Sequence, residues 1–237
     1  MTQAALVTGG AKRIGFAIAA ALAEQGYDIA LHYHSSRSEA EEAAESIRNK
    51  GRTCVLFPCD LNRIEDVLAL IPAVFERFPG CRLLVNNASI FERANLMETD
   101  PDLFERLFNI NFRAPFFLSK IFASRCRSGL ITNLCDAKIS KDMTSYFMYS
   151  LTKKMLYEFT RMAAKELGPD IRVNAVAPGM ILPSPDHTED DLNRMSLKLP
   201  LRRKGDESKV VSALLFLMQN EYVTGECIFV DGGEHLH

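Results

Sequence analysis

Asp136, Tyr149 and Lys153 have the types and spacing to move a proton. Tyr149 and Lys153 stand four apart on a stretch that reads as a long helix, Tyr146 to Leu167. That spacing places both side chains on one helical face, one turn apart. A phenol titrates near ~10 in water, too high for proton exchange at neutrality. An ammonium one turn away favours the phenolate and is expected to draw that value down. Asp136 follows an apolar run, Leu130 to Leu134, that reads as a buried strand entering a turn. Its carboxylate is then expected to face the same pocket. A Tyr-x-x-x-Lys pair alone usually marks a solvated helix face, and an Asp after a strand is often a cap. The weight of these three residues comes from what lies upstream.

A strand, Ala5 to Thr8, opens the chain and leads into Gly9-Gly10-Ala11-Lys12-Arg13-Ile14-Gly15, then an Ala/Leu-rich helix from about Phe16 to Gln25. Strand, glycine turn, helix is the context in which glycines bring backbone close to a pyrophosphate and a helix N-terminus offers it free N–H groups. Thr8, Gly9 and Gly15 fall as in Thr-Gly-x-x-x-Gly-x-Gly, with Arg13 where the middle glycine would stand. Arg13 adds a cation beside the phosphates or over whatever lies on the nicotinamide. The second strand, Asp28 to Tyr33, runs into His34, Ser35, Ser36 and Arg37, and no carboxylate appears before Glu39. An NAD-selective fold places an acid at this strand end to bind the ribose 2′-hydroxyl. Hydroxyls, Arg37 and a protonatable His34 would instead accept a 2′-phosphate, so the expected cofactor is NADP(H).

Strand-like runs at Ala5–Thr8, Asp28–Tyr33, Cys54–Pro58, Leu83–Asn86, Gly129–Leu134, Arg172–Val176 and Glu226–Val230 alternate with helical stretches. The helical stretches include Ser38–Lys50, Arg63–Phe78, Pro101–Arg127 and Asp206–Gln219. Continuous apolar strands spaced by helices predict one Rossmann-type, doubly wound α/β domain over residues 1–237, with about seven parallel strands covered on both faces. Ligands in such folds lie at the carboxyl ends of the strands. That rule gathers Gly9, His34, Asp60, Asn86, Asp136 and Pro178 in one place. Residues 180–204 break the alternation, carry Pro183, Pro185 and Pro200, and read as a lid over the substrate.

Composition is that of an ordinary globular chain: 237 residues, 47% hydrophobic, 24% charged and a net charge of −2. That charge gives no footprint for nucleic acid or an anionic membrane. Arg202-Arg203-Lys204 is too short to change this and reads as a loop before a helix. With the first strand starting within a few residues of Met1, neither a signal peptide nor a membrane span is expected ahead of it. Six scattered cysteines without Cys-x-x-Cys or partnered histidines predict no metal site and a reducing, cytoplasmic setting. Cys135, beside Asp136, could line the pocket.

Together these motifs resemble the short-chain dehydrogenase/reductase family, and within it the pteridine reductase and dihydromonapterin reductase branch. The resemblance runs through Thr8-Gly9 to Gly15, Leu84-Val85-Asn86-Asn87-Ala88-Ser89, Asn111, Tyr149 and Lys153. Arg172-Val173-Asn174, Pro178-Gly179 and Asp231-Gly232-Gly233 complete it. The branch is carried by Asp136 where most of the family has serine, by Lys12-Arg13, by Leu31-His32-Tyr33-His34, and by Phe91 close behind Asn87-Ala88-Ser89. Ser35 departs from the branch, which usually has arginine after the second histidine; Arg37 would take over its phosphate contact.

The resemblance implies that Gly9, Arg13, Ile14, Gly15, His34, Ser35, Ser36, Arg37, Asp60, Leu61, Asn87, Ala88, Lys153, Pro178 and Gly179 bind NADPH. Asp60 would meet the adenine amino group. Asn111 would anchor a water linking Lys153 to solvent. Arg13, Ser89, Phe91, Asp136 and Tyr149 would form the pterin site, with Phe91 stacked on the ring. It also implies a homotetramer, in which Glu234-His235-Leu236-His237 could reach a neighbour.

The chemistry of Asp136 points the same way. A carbonyl reductase must stabilise an alkoxide beside its proton donor, and an ionised carboxylate there opposes that charge. A pterin offers N–H donors and protonatable ring nitrogens that a carboxylate binds. The expected activity is NADPH-dependent reduction of a C=N bond of a dihydropterin (dihydromonapterin, dihydrobiopterin or dihydrofolate). Two alternatives stand: a carbonyl or 3-oxoacyl reductase of the same fold, and an NADP(H)-sensing regulator without turnover.

Overall fold

The computed structural model describes residues 2–183 and 188–236. Its strands are β1 (Ala4–Val7), β2 (Asp28–Tyr33), β3 (Cys54–Pro58), β4 (Cys81–Asn86), β5 (Gly129–Leu134), β6 (Ile171–Pro178) and β7 (Cys227–Val230). They form one sheet in the order β3-β2-β1-β4-β5-β6-β7, and every pairing is parallel. Helices α1 (Arg13–Glu24), α2 (Arg37–Arg48), α3 (Ile64–Arg77), α4 (Pro101–Phe108), α5 (Ala114–Arg125), α6 (Phe147–Leu167), α7 (Glu189–Ser196) and α8 (Glu207–Gln219) cover it.

Both faces of the sheet are buried, so the strands are apolar throughout and alternate between two cores. Along β1, Ala5 and Val7 pack with Ile18, Leu22, Ile29, Ile47, Leu214 and Leu217. Ala4 and Leu6 pack on the opposite face with Ile71, Val74, Leu118, Phe122 and Val173. The strand order reverses between β1 and β4, and a crevice opens there at the carboxyl ends. Among the described residues no helix is long and apolar enough to cross a membrane. All six cysteines are buried and free.

Two expectations need correction. The predicted helix Pro101–Arg127 is broken: α4 and α5 are joined by a π-helical turn, Asn109–Arg113. Pro115 has no N–H to give the carbonyl four residues back, so the regular ladder cannot continue through Asn111. The segment 180–204 is not irregular throughout either, because it holds α7. Thr188 and Asp191 cap that helix reciprocally, and Glu189, Asp190 and Asp191 occupy its positive first turn. Residues 184–187 of the expected lid, with Pro185, lie outside the described residues, as does His237.

Candidate active site

The glycine turn is shaped by contacts that exclude side chains. A Cβ on Gly15 would stand 2.1 Å from the Gly9 carbonyl oxygen and 2.6 Å from the Asn87 side-chain nitrogen. Thr8, just past the end of β1, and Asn87, just past the end of β4, close the turn. The Thr8 hydroxyl donates to the Val85 carbonyl at 3.2 Å and accepts from the Asn87 and Ala88 N–H groups. The Asn87 amide donates to the Thr8 and Gly9 carbonyls at 2.8 and 3.1 Å. Arg13, the residue in place of a glycine, has φ +55°, the left-handed region that glycine favours. Its guanidinium donates to the Pro183 carbonyl at 2.9 Å, tethering the start of the 180–204 segment to the turn. Arg13→Gly is expected to relieve about 1 kcal/mol of strain while weakening NADPH binding. Thermal unfolding paired with a fluorescence titration would check both signs.

His32 was not singled out as a site residue, yet it fixes this turn from β2. Its Nδ1 accepts from the Gly9 N–H at 3.0 Å, and its Nε2 lies 3.1 Å from the Cys59 carbonyl. Those partners select the neutral form with the proton on Nε2. Burial, with a smaller push from His34, holds the imidazole down to about 4 against an ordinary 6.5. The unfolded chain therefore binds a proton below 6.5 that the folded one refuses until about 4. Stability present above pH 6.5 is lost as pH falls through this window. Urea unfolding is expected to show about 2 kcal/mol of loss from pH 7 to pH 5, and less in His32→Asn. A histidine in the otherwise apolar run Ile29-Ala30-Leu31 was the available signal.

Two cavities meet at the turn and share Arg13, Ile14, Asn87 and Ser89 in their walls. The first, of about 350 Å³, is lined by Gly9, Lys12, Gly15, His32, His34, Asp60, Leu61, Ala88 and their neighbours. Asp60 accepts from the Asn62 N–H at 2.9 Å and stands 3.9 Å from His34 Nε2. Ser35, Ser36 and Arg37 lie outside its walls. Arg37 is exposed and donates to Glu41 at 2.8 Å, and Lys12 pairs with Glu39 at 2.8 Å. A 2′-phosphate at this rim would compete with those two carboxylates for its cations.

The second cavity, of about 410 Å³, brings together Arg13, Ser89, Phe91, Asp136, Tyr149, Lys153, Pro178 and Gly179. Cys135 lines it as well as packing beneath it, Ile181 and Leu182 line it from the start of the expected lid, and Lys138 was not foreseen. The Tyr149 hydroxyl donates to Asp136 Oδ2 at 2.7 Å. Asp136 Oδ1 accepts from the Lys138 N–H at 2.8 Å, capping a 3-10 turn, Ala137–Ser140. The capping and pocket readings of Asp136 are therefore both true, one for each oxygen.

Lys153 does not act on Tyr149 as the helix spacing suggested. Its ammonium donates to the Leu134 carbonyl at 2.8 Å and lies 5.8 Å from the Tyr149 ring centroid. Burial, then the Asp136 charge and hydrogen bond, push the Tyr149 phenol well above its ordinary value. Burial also lowers the Lys153 ammonium, countered by Cys135 and Asp136. The phenol here is a held proton donor, not a depressed phenolate.

Asn111 is buried in the π-helical turn with its amide fully used. It accepts from the Ile90 N–H at 2.9 Å and the Ser89 hydroxyl at 3.1 Å, and donates to the Ile90 carbonyl at 3.0 Å. It clamps the segment that carries Ser89 and Phe91. Phe91 stacks on Tyr146 at 4.3 Å, with Tyr149 perpendicular at 4.6 Å and the Lys138 ammonium 5.4 Å over its ring. Asn86 turns away from the crevice and donates to Ser119 and Asn133 in the interior. The tail also folds onto its own chain: Glu234 is buried near Lys141, and His235 sits 2.8 Å from Asp231.

A glycine turn at the switch point of a parallel sheet, adjoining a buried tyrosine and lysine, defines a dinucleotide-dependent oxidoreductase of the doubly wound class. Residues 9–235 match the family model described as enoyl-(acyl carrier protein) reductase, and the chain belongs to the short-chain dehydrogenase/reductase family. It is 33% identical to pteridine reductase 1 of Leishmania tarentolae, over 98% of this chain and 96% of that protein. It is also 33% identical to the 3-oxoacyl-(acyl-carrier-protein) reductase FabG of Staphylococcus epidermidis, over the full length of both. Among solved structures, FolM alternative dihydrofolate reductase 1 of Brucella suis, in complex with NADP, superposes with a TM-score of 0.94. That match is 36% identical and covers 99% of this chain and 95% of the other.

Proposed function

We propose that this protein is an NADPH-dependent dihydropterin reductase acting on a ring C=N bond. The observation that carries the reading is the 2.7 Å hydrogen bond from Tyr149 to Asp136, a carboxylate where a carbonyl reductase needs none. The glycine turn admits no side chain at Gly15, and Lys12 and Arg13 supply positive charge around the first cavity. These features fit a phosphorylated dinucleotide. NADPH, when bound, supplies the hydride.

The protein's own residues do the rest. Gly9, Arg13, Ile14, Gly15, Asn87 and Ala88 hold the diphosphate and nicotinamide half of the cofactor. His34, Ser35, Ser36 and Arg37 receive the 2′-phosphate, and Asp60 and Leu61 border the adenine. Lys153, Pro178 and Gly179 orient the nicotinamide ribose and ring. Asp136 binds N–H donors of the pterin, and the Asp136–Tyr149 pair gives one proton to the ring nitrogen that gains electron density. Asp136 is only half-buried, so solvent can restore that proton. Asn111 holds the segment of Ser89 and Phe91 in register with the ring, and with its side-chain amide taken, the water expected to serve Lys153 would need a partner other than that amide.

The full-length match to a 3-oxoacyl reductase keeps a carbonyl substrate as the second reading. The deciding experiment is NADPH oxidation by the purified protein with dihydromonapterin, dihydrobiopterin and dihydrofolate in parallel, beside a 3-oxoacyl thioester. Turnover of a dihydropterin is the expected result. Flat traces on all three with turnover of the thioester would overturn the proposal.

A further inference from the structure

We infer that Lys138 selects a dihydropterin carrying an anionic side chain over one carrying a neutral chain; this rests on the dihydropterin reading above. The cations lining the catalytic cavity are Arg13, Lys138 and Lys153. Two of them are committed, Arg13 to the Pro183 carbonyl and Lys153 to the Leu134 carbonyl. The Lys138 ammonium has no carboxylate or carbonyl within bonding distance among the described residues; its contact is the Phe91 ring, 5.4 Å from the centroid. The buried Glu234 carboxylate pairs with Lys141 at 3.6 Å and feels the Lys138 charge only from beyond bonding distance.

The backbone of Lys138 is fixed relative to the reacting groups, because its N–H is the one that Asp136 Oδ1 accepts. A planar ring stacking on Phe91 under this ammonium displaces it. The long stem lets the charge swing aside without moving the turn. Within the cavity the displaced ammonium then meets the substrate, and a carboxylate on the substrate's tail is the partner that restores its electrostatics. A neutral polyhydroxyalkyl chain offers no such partner. Dihydrofolate, with its glutamate, has the required chemistry; dihydrobiopterin is the neutral counterpart.

The test is steady-state kinetics of wild type, Lys138→Met and Lys138→Glu with dihydrofolate and dihydrobiopterin. Methionine keeps the apolar stem and the backbone N–H that Asp136 accepts, and removes only the ammonium over Phe91. Lys138→Met is expected to raise KM for dihydrofolate about tenfold, the range of a hydrogen bond between charged groups. The loss of the ammonium over Phe91 acts on both substrates alike, so the reading is the ratio of the two KM values, dihydrofolate over dihydrobiopterin, which is expected to rise about tenfold. Lys138→Glu is expected to widen the gap by repelling the carboxylate. Equal loss on both substrates would show a structural role, and no loss on either would show none; both outcomes overturn the selection by Lys138 and leave dihydropterin reduction standing. Wild-type protein that turns over neither substrate would overturn the selection by Lys138 alone, because dihydropterin reduction is decided by the parallel assay that includes dihydromonapterin.

Discussion

Asp136→Ala is expected to cut dihydropterin reduction by about 10²–10⁴-fold, the usual contribution of a positioned proton-transfer group. NADPH affinity is expected to be unchanged, because Asp136 lies outside the cavity of the glycine turn and is given no contact to the cofactor. The same carboxylate caps the Ala137–Ser140 turn through the Lys138 N–H, and alanine also removes that cap, worth about 1 kcal/mol. Asp136→Asn separates the two roles. Its amide oxygen can still accept from Lys138, so stability is expected near wild type while turnover stays low. The Tyr149 phenol supplies an independent readout. Burial and the Asp136 charge raise it, so activity that needs its proton persists into alkaline pH. Removing the charge in Asp136→Asn lowers the phenol, and the alkaline limb of residual activity moves to lower pH. Retained turnover in Asp136→Ala would sink the role given to this residue.

Much of the fold was legible because a parallel sheet buried on both faces leaves uninterrupted apolar strands. β2, β3 and β5 span the expected residues, and the others differ by one or two residues at an end. The site was legible where chain-local spacing decides position: the turn from Gly9 to Gly15, the helical pair Tyr149 and Lys153, and Asp136 after β5. It was not legible where contacts come from distant chain. Nothing within a few residues of His32 says that its ring bonds Gly9 and Cys59, which lie 23 and 27 positions away. Nothing local predicts that Lys153 turns to the Leu134 carbonyl, leaving burial and Asp136 to govern Tyr149. α7 escaped because eight residues with one buried leucine carry little periodicity.

Gly15→Ala is expected to abolish measurable NADPH binding and to cost a few kcal/mol of stability, in the range of overpacked interior sites. The added methyl would stand 2.1 Å from the Gly9 carbonyl oxygen and 2.9 Å from its carbon, so backbone must move and not a flexible side chain. The part that moves is the turn whose N–H groups would face the diphosphate, and Thr8, Asn87 and His32 hold it from three directions. Gly26→Ala is the matched control. Gly26 has φ +91° but nothing within 4 Å of its Cβ position, so alanine there costs about 1 kcal/mol of backbone strain with no change at the turn. Fluorescence titration with NADPH and urea unfolding on both variants separate the effects. Lost binding in Gly15→Ala alone ties the nucleotide to this turn by a steric route that stability cannot mimic. Equal binding in both, with only Gly15→Ala destabilised, would make the turn a packing device and move the nucleotide elsewhere along the crevice.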